Sequence, residues 1–178
     1  TYTYGSDNCL ETIDTVIFVN NEFISTTYLT KDTICLGELT SIGVTVSGGT
    51  TNYTFNWNNS SSNSFEQLVS PTSTTNYIIT SSDGCSDDNI DTIKIVVLPT
   101  FTLSFSTSVK QCSGEIGNAV VNASPNGNYN YEWNTNPIST IDSINEAVNR
   151  NYRVVVKDEN TQCIVSDTIT IPGYDDVF

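Results

Sequence analysis

Methionine and histidine are both missing from the 178 residues of this chain. Histidine is the commonest general base and metal ligand near neutral pH, so any acid–base chemistry would fall to carboxylates or to a cysteine without a partner. Positive charge is scarce as well: 6 Lys and Arg stand against 20 Asp and Glu, a net charge of -14. Such a balance repels phosphate backbones and anionic lipid, which argues against nucleic acid and membrane surfaces as partners. No run approaches the roughly 20 apolar residues that span a bilayer, so no membrane insertion is expected. The opening residues show neither an initiator Met nor a signal-peptide pattern, and the chain is expected to be a processed product or a segment of something longer.

What the sequence has in plenty is Thr, Ser and Asn, in turn phrases such as "SGGTTN", "NNSSSNS", "SDG" and "SPNGN". These residues favour strands and turns over long helices. The acidic excess suits solubility or loose cation binding.

One pattern occurs three times: an aromatic strand, an acidic turn, a cysteine, an Asp-Ser/Thr pair and another strand. It opens the chain ("TYTYGSDNCLETIDTVIFV"), recurs from Thr75 ("TNYIITSSDGCSDDNIDTIKIVV") and closes it from Arg150 ("RNYRVVVKDENTQCIVSDTITI"). Cys9, Cys85 and Cys163 hold equivalent places, 76 and 78 residues apart. Cys35 and Cys112, 77 apart, open "CLGE" and "CSGE" and lead after 22 and 21 residues to Trp57 in "YTFNW" and Trp133 in "YNYEW". A fixed period with matched Cys, Trp, Tyr and Asp landmarks marks tandem modules.

Alternation at period two, the signature of half-buried strands, repeats with the same period. Ile42, Val44 and Val46 correspond to Ala119, Val121 and Ala123; Tyr53, Phe55 and Trp57 to Tyr129, Tyr131 and Trp133; Tyr77 and Ile79 to Tyr152 and Val154. The expected fold is all-β: tandem immunoglobulin-like Greek-key β-sandwiches, each with one disulfide, stacked end to end. Residues 1–22 read as the end of a preceding module, 23–98 and 99–173 as two whole modules, and 174–178 as a linker or the start of another. The tight "VVLPTF" joint around Leu98 to Thr100 should be stiff. The tryptophans read as core plugs, with a carbohydrate-stacking platform as the rival.

Cys35 and Cys85 are 50 apart and Cys112 and Cys163 are 51 apart, so pairing within modules is the economical expectation. Closing a loop of that size is worth about 4 kcal/mol on the loop-entropy model, useful to a small module. Zinc is disfavoured because the cysteines lack paired spacing. Disulfides imply export. Cys9 is left over, with its partner in a missing upstream stretch or in a second chain.

Acidic residues crowd at Asp83, Asp87, Asp88 and Asp91, and at Asp158, Glu159 and Asp167. The first group is a candidate calcium site, set against a solvated acidic turn, because no spacing matches a known calcium loop. No other cofactor is expected. Nothing in the pattern promises the cleft and fixed carboxylate separation that glycoside hydrolysis needs, and the glycine phrases lack a phosphate-loop Lys.

"TICLGELTSIGVTVSGGTTNYTFNW…DGCSDDNIDTIKIVV" resembles a PKD-like, immunoglobulin-fold module of Bacteroidetes surface proteins. "QCSGEIGNAVVNASPNGNYNYEW…TQCIVSDTITI" is similar to the repeats of the gliding-motility adhesin SprB. The resemblance spans Thr30 to Pro172, with residues 1–20 as the tail of another copy; "DENTQC" departs from it in having a longer turn. It implies a non-enzymatic adhesin or filament segment exported by the type IX pathway to the surface of a Gram-negative cell, with a part in gliding motility or surface attachment. Its partners would be neighbouring modules of one long chain and surface polysaccharide or other cells. The alternatives are a carbohydrate-binding accessory region of a secreted hydrolase, or a hydrolase domain itself. Five Asp-Ser/Thr-aliphatic triplets also resemble the O-glycosylation signal of Bacteroidetes exported proteins, which would place glycans on Thr15, Thr33, Thr92, Ser143 and Thr168 where strands begin. In structural terms the same triplet simply carries a turn into a strand.

Overall fold

The structure, a computed structural model, describes residues 2–4, 11–13, 21–109 and 116–173. Every regular element among them is a strand: β1 (Tyr2–Tyr4), β2 (Glu11–Ile13), β3 (Ile24–Leu29), β4 (Thr33–Ile34), β5 (Thr40–Ser47), β6 (Thr54–Trp57), β7 (Glu66–Val69), β8 (Thr75–Ser82), β9 (Asn89–Val97), β10 (Thr102–Val109), β11 (Ile116–Ser124), β12 (Tyr129–Trp133), β13 (Ser143–Ala147), β14 (Arg150–Asp158) and β15 (Ile164–Ile171). The all-β expectation holds. Short strands between Gly-, Asn- and Ser-rich turns leave no room for helices.

The chain divides into two compact units. The first takes Leu39–Val69 and Thr75–Ile95 together with the chain before Thr33; the second takes Thr33–Glu38, Ser70–Thr74 and the chain from Val96 onward. In the first, β3-β5-β7 make one antiparallel sheet and β9-β8-β6 another; in the second, β10-β11-β13 and β15-β14-β12 repeat that order. The tryptophan register repeats as well: Trp57 lies opposite Ile79, and Trp133 opposite Val154. In the opening copy β1 and β2 pair antiparallel, the arrangement of β8 with β9 and of β14 with β15.

Each unit buries one face of its strands. Ile42, Val44, Trp57, Tyr77, Ile79, Ile93 and Ile95 fill the first. Ala119, Val121, Trp133, Ile144, Tyr152, Val154, Val156 and Ile171, drawn from both sheets, form one continuous core in the second. A buried indole needs a partner for its N–H, and both find one in the segment after their strand: Trp57 Nε1 donates to the Ser64 carbonyl at 2.7 Å and Trp133 Nε1 to the Ile141 carbonyl at 2.9 Å. The hydroxyls of Tyr53 and Tyr129 likewise donate back to the Gly48 and Pro125 carbonyls, both at 2.7 Å. The tryptophans are core plugs. Val46 and Ala123, expected in the same inward row, are only half-buried.

The cysteines pair otherwise than the spacing suggested. Cys35 bonds to Cys163, and Cys85 is a free, exposed thiol. The expected Cys35–Cys85 and Cys112–Cys163 bonds are therefore not the ones formed; Cys112 itself, like Cys9, lies outside the described residues. Strand direction explains the difference. Short β4 runs parallel to the end of β9, with Ile34 opposite Val97 and its carbonyl accepting from Leu98 N at 2.9 Å, so Cys35 sits at the Val97 end of β9. Cys85 lies in the turn that precedes Asn89, at the other end of the same strand. At about 3.3 Å per residue β9 is about 26 Å long, whereas a disulfide needs its Cα atoms within about 7 Å. Cys35 and Cys163 meet that condition at 5.6 Å.

Candidate functional site

The features that could carry function are two cysteine-bearing acidic turns and the clefts beside the Tyr-x-x-x-Trp strands. In the β8–β9 turn Asp83 is almost fully buried. Its Oδ1 accepts from the amides of Cys85 (3.0 Å) and Ser86 (2.7 Å), and its Oδ2 from the Thr50 amide (2.8 Å) and the Ser86 hydroxyl (3.2 Å). Hydrogen bonds to the ionised form favour it: those from the Ser86, Thr50 and Cys85 amides pull the Asp83 carboxyl down to about 2, against an opposing push from burial. This one carboxylate ties the β5–β6 turn to the cysteine turn.

Asp158 instead closes the β14–β15 turn on itself. Its Oδ1 accepts from the Asn160 amide at 2.8 Å and its Oδ2 from the Thr161 hydroxyl at 2.9 Å, and the bond from Asn160 leads in lowering its pKa. The longer "DENTQC" loop closes through two further bonds, from Asp158 N to the Cys163 carbonyl (2.9 Å) and from Gln162 N to the Asp158 carbonyl (2.7 Å). Both turns place the cysteine directly after a left-handed residue, Gly84 at φ 73° and Gln162 at φ 62°, but the Cys85 amide donates to the Asp83 carboxylate and the Cys163 amide to the Thr161 hydroxyl. Glycine takes that conformation freely and Gln at a cost.

The "CLGE" phrase also acquires a physical meaning. Gly37 (φ 82°) lets the chain double back, Glu38 N donates to the Cys35 carbonyl at 3.0 Å, and the Glu38 carboxylate accepts from Cys35 N at 3.1 Å. Cys-x-Gly-Glu is thus a self-closed turn that fixes its cysteine.

The candidate calcium residues do not converge. Asp83 is occupied by amides, Asp91 accepts from the Ser25 hydroxyl, and Asp87 and Asp88 are exposed. Among the described residues no three such side chains are grouped to hold a metal ion. Of the candidate glycan positions, Thr33 and Ser143 do open strands, whereas Thr92 and Thr168 lie within β9 and β15, opposite Ile78 and Arg153. Thr33, Thr92 and Thr168 are exposed and Ser143 is half-buried; Thr15 lies outside the described residues.

Beside the Tyr-x-x-x-Trp strands, each unit carries a cleft at the same place, which the sequence reading missed by assigning the aromatics inward. In the first unit Tyr28, Val44, Thr45, Val46, Tyr53, Phe55 and Phe65 line about 440 Å³. In the second, Val121, Asn122, Ala123, Asn126, Gly127, Tyr129, Tyr131 and Asp142 line about 220 Å³. Phe65 and Asp142 are structural equivalents, since their carbonyls accept from the matching amides of Val44 (3.0 Å) and Val121 (2.9 Å). The first cleft is therefore aromatic and the second polar. Burial raises the Tyr131 pKa, with Asp142 adding to it; burial, and then the nearby Glu66 carboxylate, do the same for Tyr28.

No protein-family model matches the chain, and neither does any curated protein. Among solved structures it is similar to the three N-terminal domains of the bacteriophage RB49 Highly Immunogenic Outer Capsid protein (Hoc), at 19% sequence identity and a TM-score of 0.43. The match covers 84% of this chain and 59% of that one, so this chain spans under two thirds of the length of that structure.

Proposed function

We propose that the chain is a non-enzymatic segment of a cell-surface protein, in which sandwich modules at residues 23–98 and 99–173 form part of the rod of an adhesin or filament. The observation that carries this reading is duplication of the frame rather than of a site. Strand order, tryptophan plug and tyrosine bond are repeated, while the clefts beside them differ in chemistry. A repeated scaffold with unrepeated pockets is what an array selected for length would keep. The Cys35–Cys163 disulfide fits an oxidising, extracellular setting. The resemblance of both modules to Bacteroidetes surface repeats narrows this to attachment or gliding, with glycans at the Asp-Ser/Thr triplets. In-frame deletion of residues 23–173 from the parent protein tests it: attachment should fall while the shortened protein still reaches the surface. Unchanged attachment, or a catalytic domain in the same polypeptide, contradicts it.

One observation favours the second reading, a carbohydrate-binding accessory region: the cleft of Tyr28, Tyr53, Phe55 and Phe65 offers rings on which a sugar could stack. Oligosaccharide titration of the purified chain, with Phe65→Ala as control, would show saturable binding lost in the variant if that reading holds.

A further inference from the structure

Cys85 and Cys163 hold equivalent places in the sequence repeat, in turns that each contain an Asp carboxylate accepting from a backbone amide and that each place the cysteine after a left-handed residue. Yet Cys163 is buried in a disulfide and Cys85 stands exposed as a thiol. The partner of Cys163 is not in its own sequence repeat: it is the Cys-x-Gly-Glu cysteine of the repeat before it, 128 residues earlier. That bond is the internal precedent for what a cysteine in this turn takes.

We propose that the disulfides of this protein run from repeat to repeat, and that Cys85 is the acceptor for the Cys-x-Gly-Glu cysteine of a repeat on its N-terminal side. The inference rests on the reading of the chain as part of a tandem array. Cys35 cannot serve Cys85, because the two lie at opposite ends of β9. The partner is a cysteine held in a self-closed turn like that of Cys35, Gly37 and Glu38. Bond formation removes one proton and one electron from each thiol. The two electrons pass to the disulfide of a thiol–disulfide oxidoreductase in the oxidising compartment, which leaves as a dithiol. Each such bond ties the Cys-x-Gly-Glu segment of one sequence repeat to the cysteine turn of the next, as Cys35 and Cys163 are tied within the second unit.

The test is disulfide mapping of the full protein taken from its native surface, alkylated without reduction and cut at aromatic residues. The Cys85 peptide should emerge linked to a Cys-x-Gly-Glu peptide whose cysteine lies about 128 residues upstream, the separation of the observed pair. Recovery of Cys85 as an alkylated thiol, or linked to Cys35 or Cys112, overturns the proposal. A Cys163→Ser variant gives a second check: Cys35 should become alkylatable, and a Cys35–Cys85 bond in its place refutes the geometry. Failure of the mapping in protein that is still displayed on the cell sinks repeat-to-repeat bonding alone, whereas absence from the surface sinks the array reading.

Discussion

Phe65 in the first unit and Asp142 in the second hold the same place in the backbone, their carbonyls bonded to Val44 and Val121, yet they give the neighbouring clefts opposite character. Beneath them the two tryptophans and their strand partners are interchangeable in register. The contrast shows where each kind of constraint acts. Main-chain pairing and the buried row must agree for the sandwich to close, so they repeat; residues at the rim of a cleft answer to no such demand and diverge. The cysteine turns sharpen the point, since equivalent repeat positions, each following a left-handed residue, hold a buried bond at Cys163 and an open thiol at Cys85.

The harshest way to break the comparison is to remove a plug. Trp133→Ala should cost about 3–5 kcal/mol, because the indole is 1% exposed in a continuous core. Trp57 then becomes the sole tryptophan signal, and its unfolding midpoint should stay put while circular dichroism records loss of the second unit. Movement of both together would show that the units do not fold separately.

Cys163→Ser comes next. Losing the bond that closes a 128-residue loop should cost about 2–5 kcal/mol, read as a lower urea midpoint for the Trp133 transition. Cys85→Ser, touching only an exposed thiol, should leave both transitions where they are. A smaller effect separates the repeats at Gly43 and its counterpart Val120. A Cβ on Gly43 would lie 2.5 Å from the Tyr28 ring and 2.9 Å from the Phe65 carbonyl, so Gly43→Val should destabilise the first unit by about 1–3 kcal/mol. Val120→Gly would create no such clash. Equal effects at the two positions would erase the distinction.

The mildest effect is confined to acid. Asp83 titrates near 2 in the folded chain and near 3.9 unfolded. A depressed carboxylate pKa contributes stability that is present above the unfolded value and fades as pH falls toward the folded one. The wild-type chain should therefore lose stability between about pH 4 and pH 2, and Asp83→Asn should lose less over that window, as followed by urea midpoints at each pH. Parallel curves would remove Asp83 from the account.

Much of this architecture was legible beforehand because burial has a period. Ile42 and Val44, Tyr77 and Ile79, and the two tryptophans advertise an inward face, and all are buried. The aromatic clefts were not legible, because Tyr53 and Phe55 alternate in step with Trp57 while lying half open; alternation tells which side a residue faces, not how deep the partner sheet reaches. The cysteine pairing was hidden for another reason. Intervals of 50 and 51 residues measure distance along the chain, and only the parallel run of β4 beside the end of β9 shows that Cys35 and Cys85 stand a strand's length apart. A signal was present in "CLGE", whose Gly and Glu close the turn of Cys35, but it marks a held cysteine without naming its partner.

Disulfide mapping of the oxidised 178-residue chain tests the central claim most directly. Trypsin leaves Cys35 and Cys85 on one peptide, since no Lys or Arg falls between them, so cleavage at aromatic residues is required. The structure predicts a peptide carrying Cys35 joined to one carrying Cys163, with Cys85 recovered as an alkylated thiol; a Cys35–Cys85 linkage would contradict it.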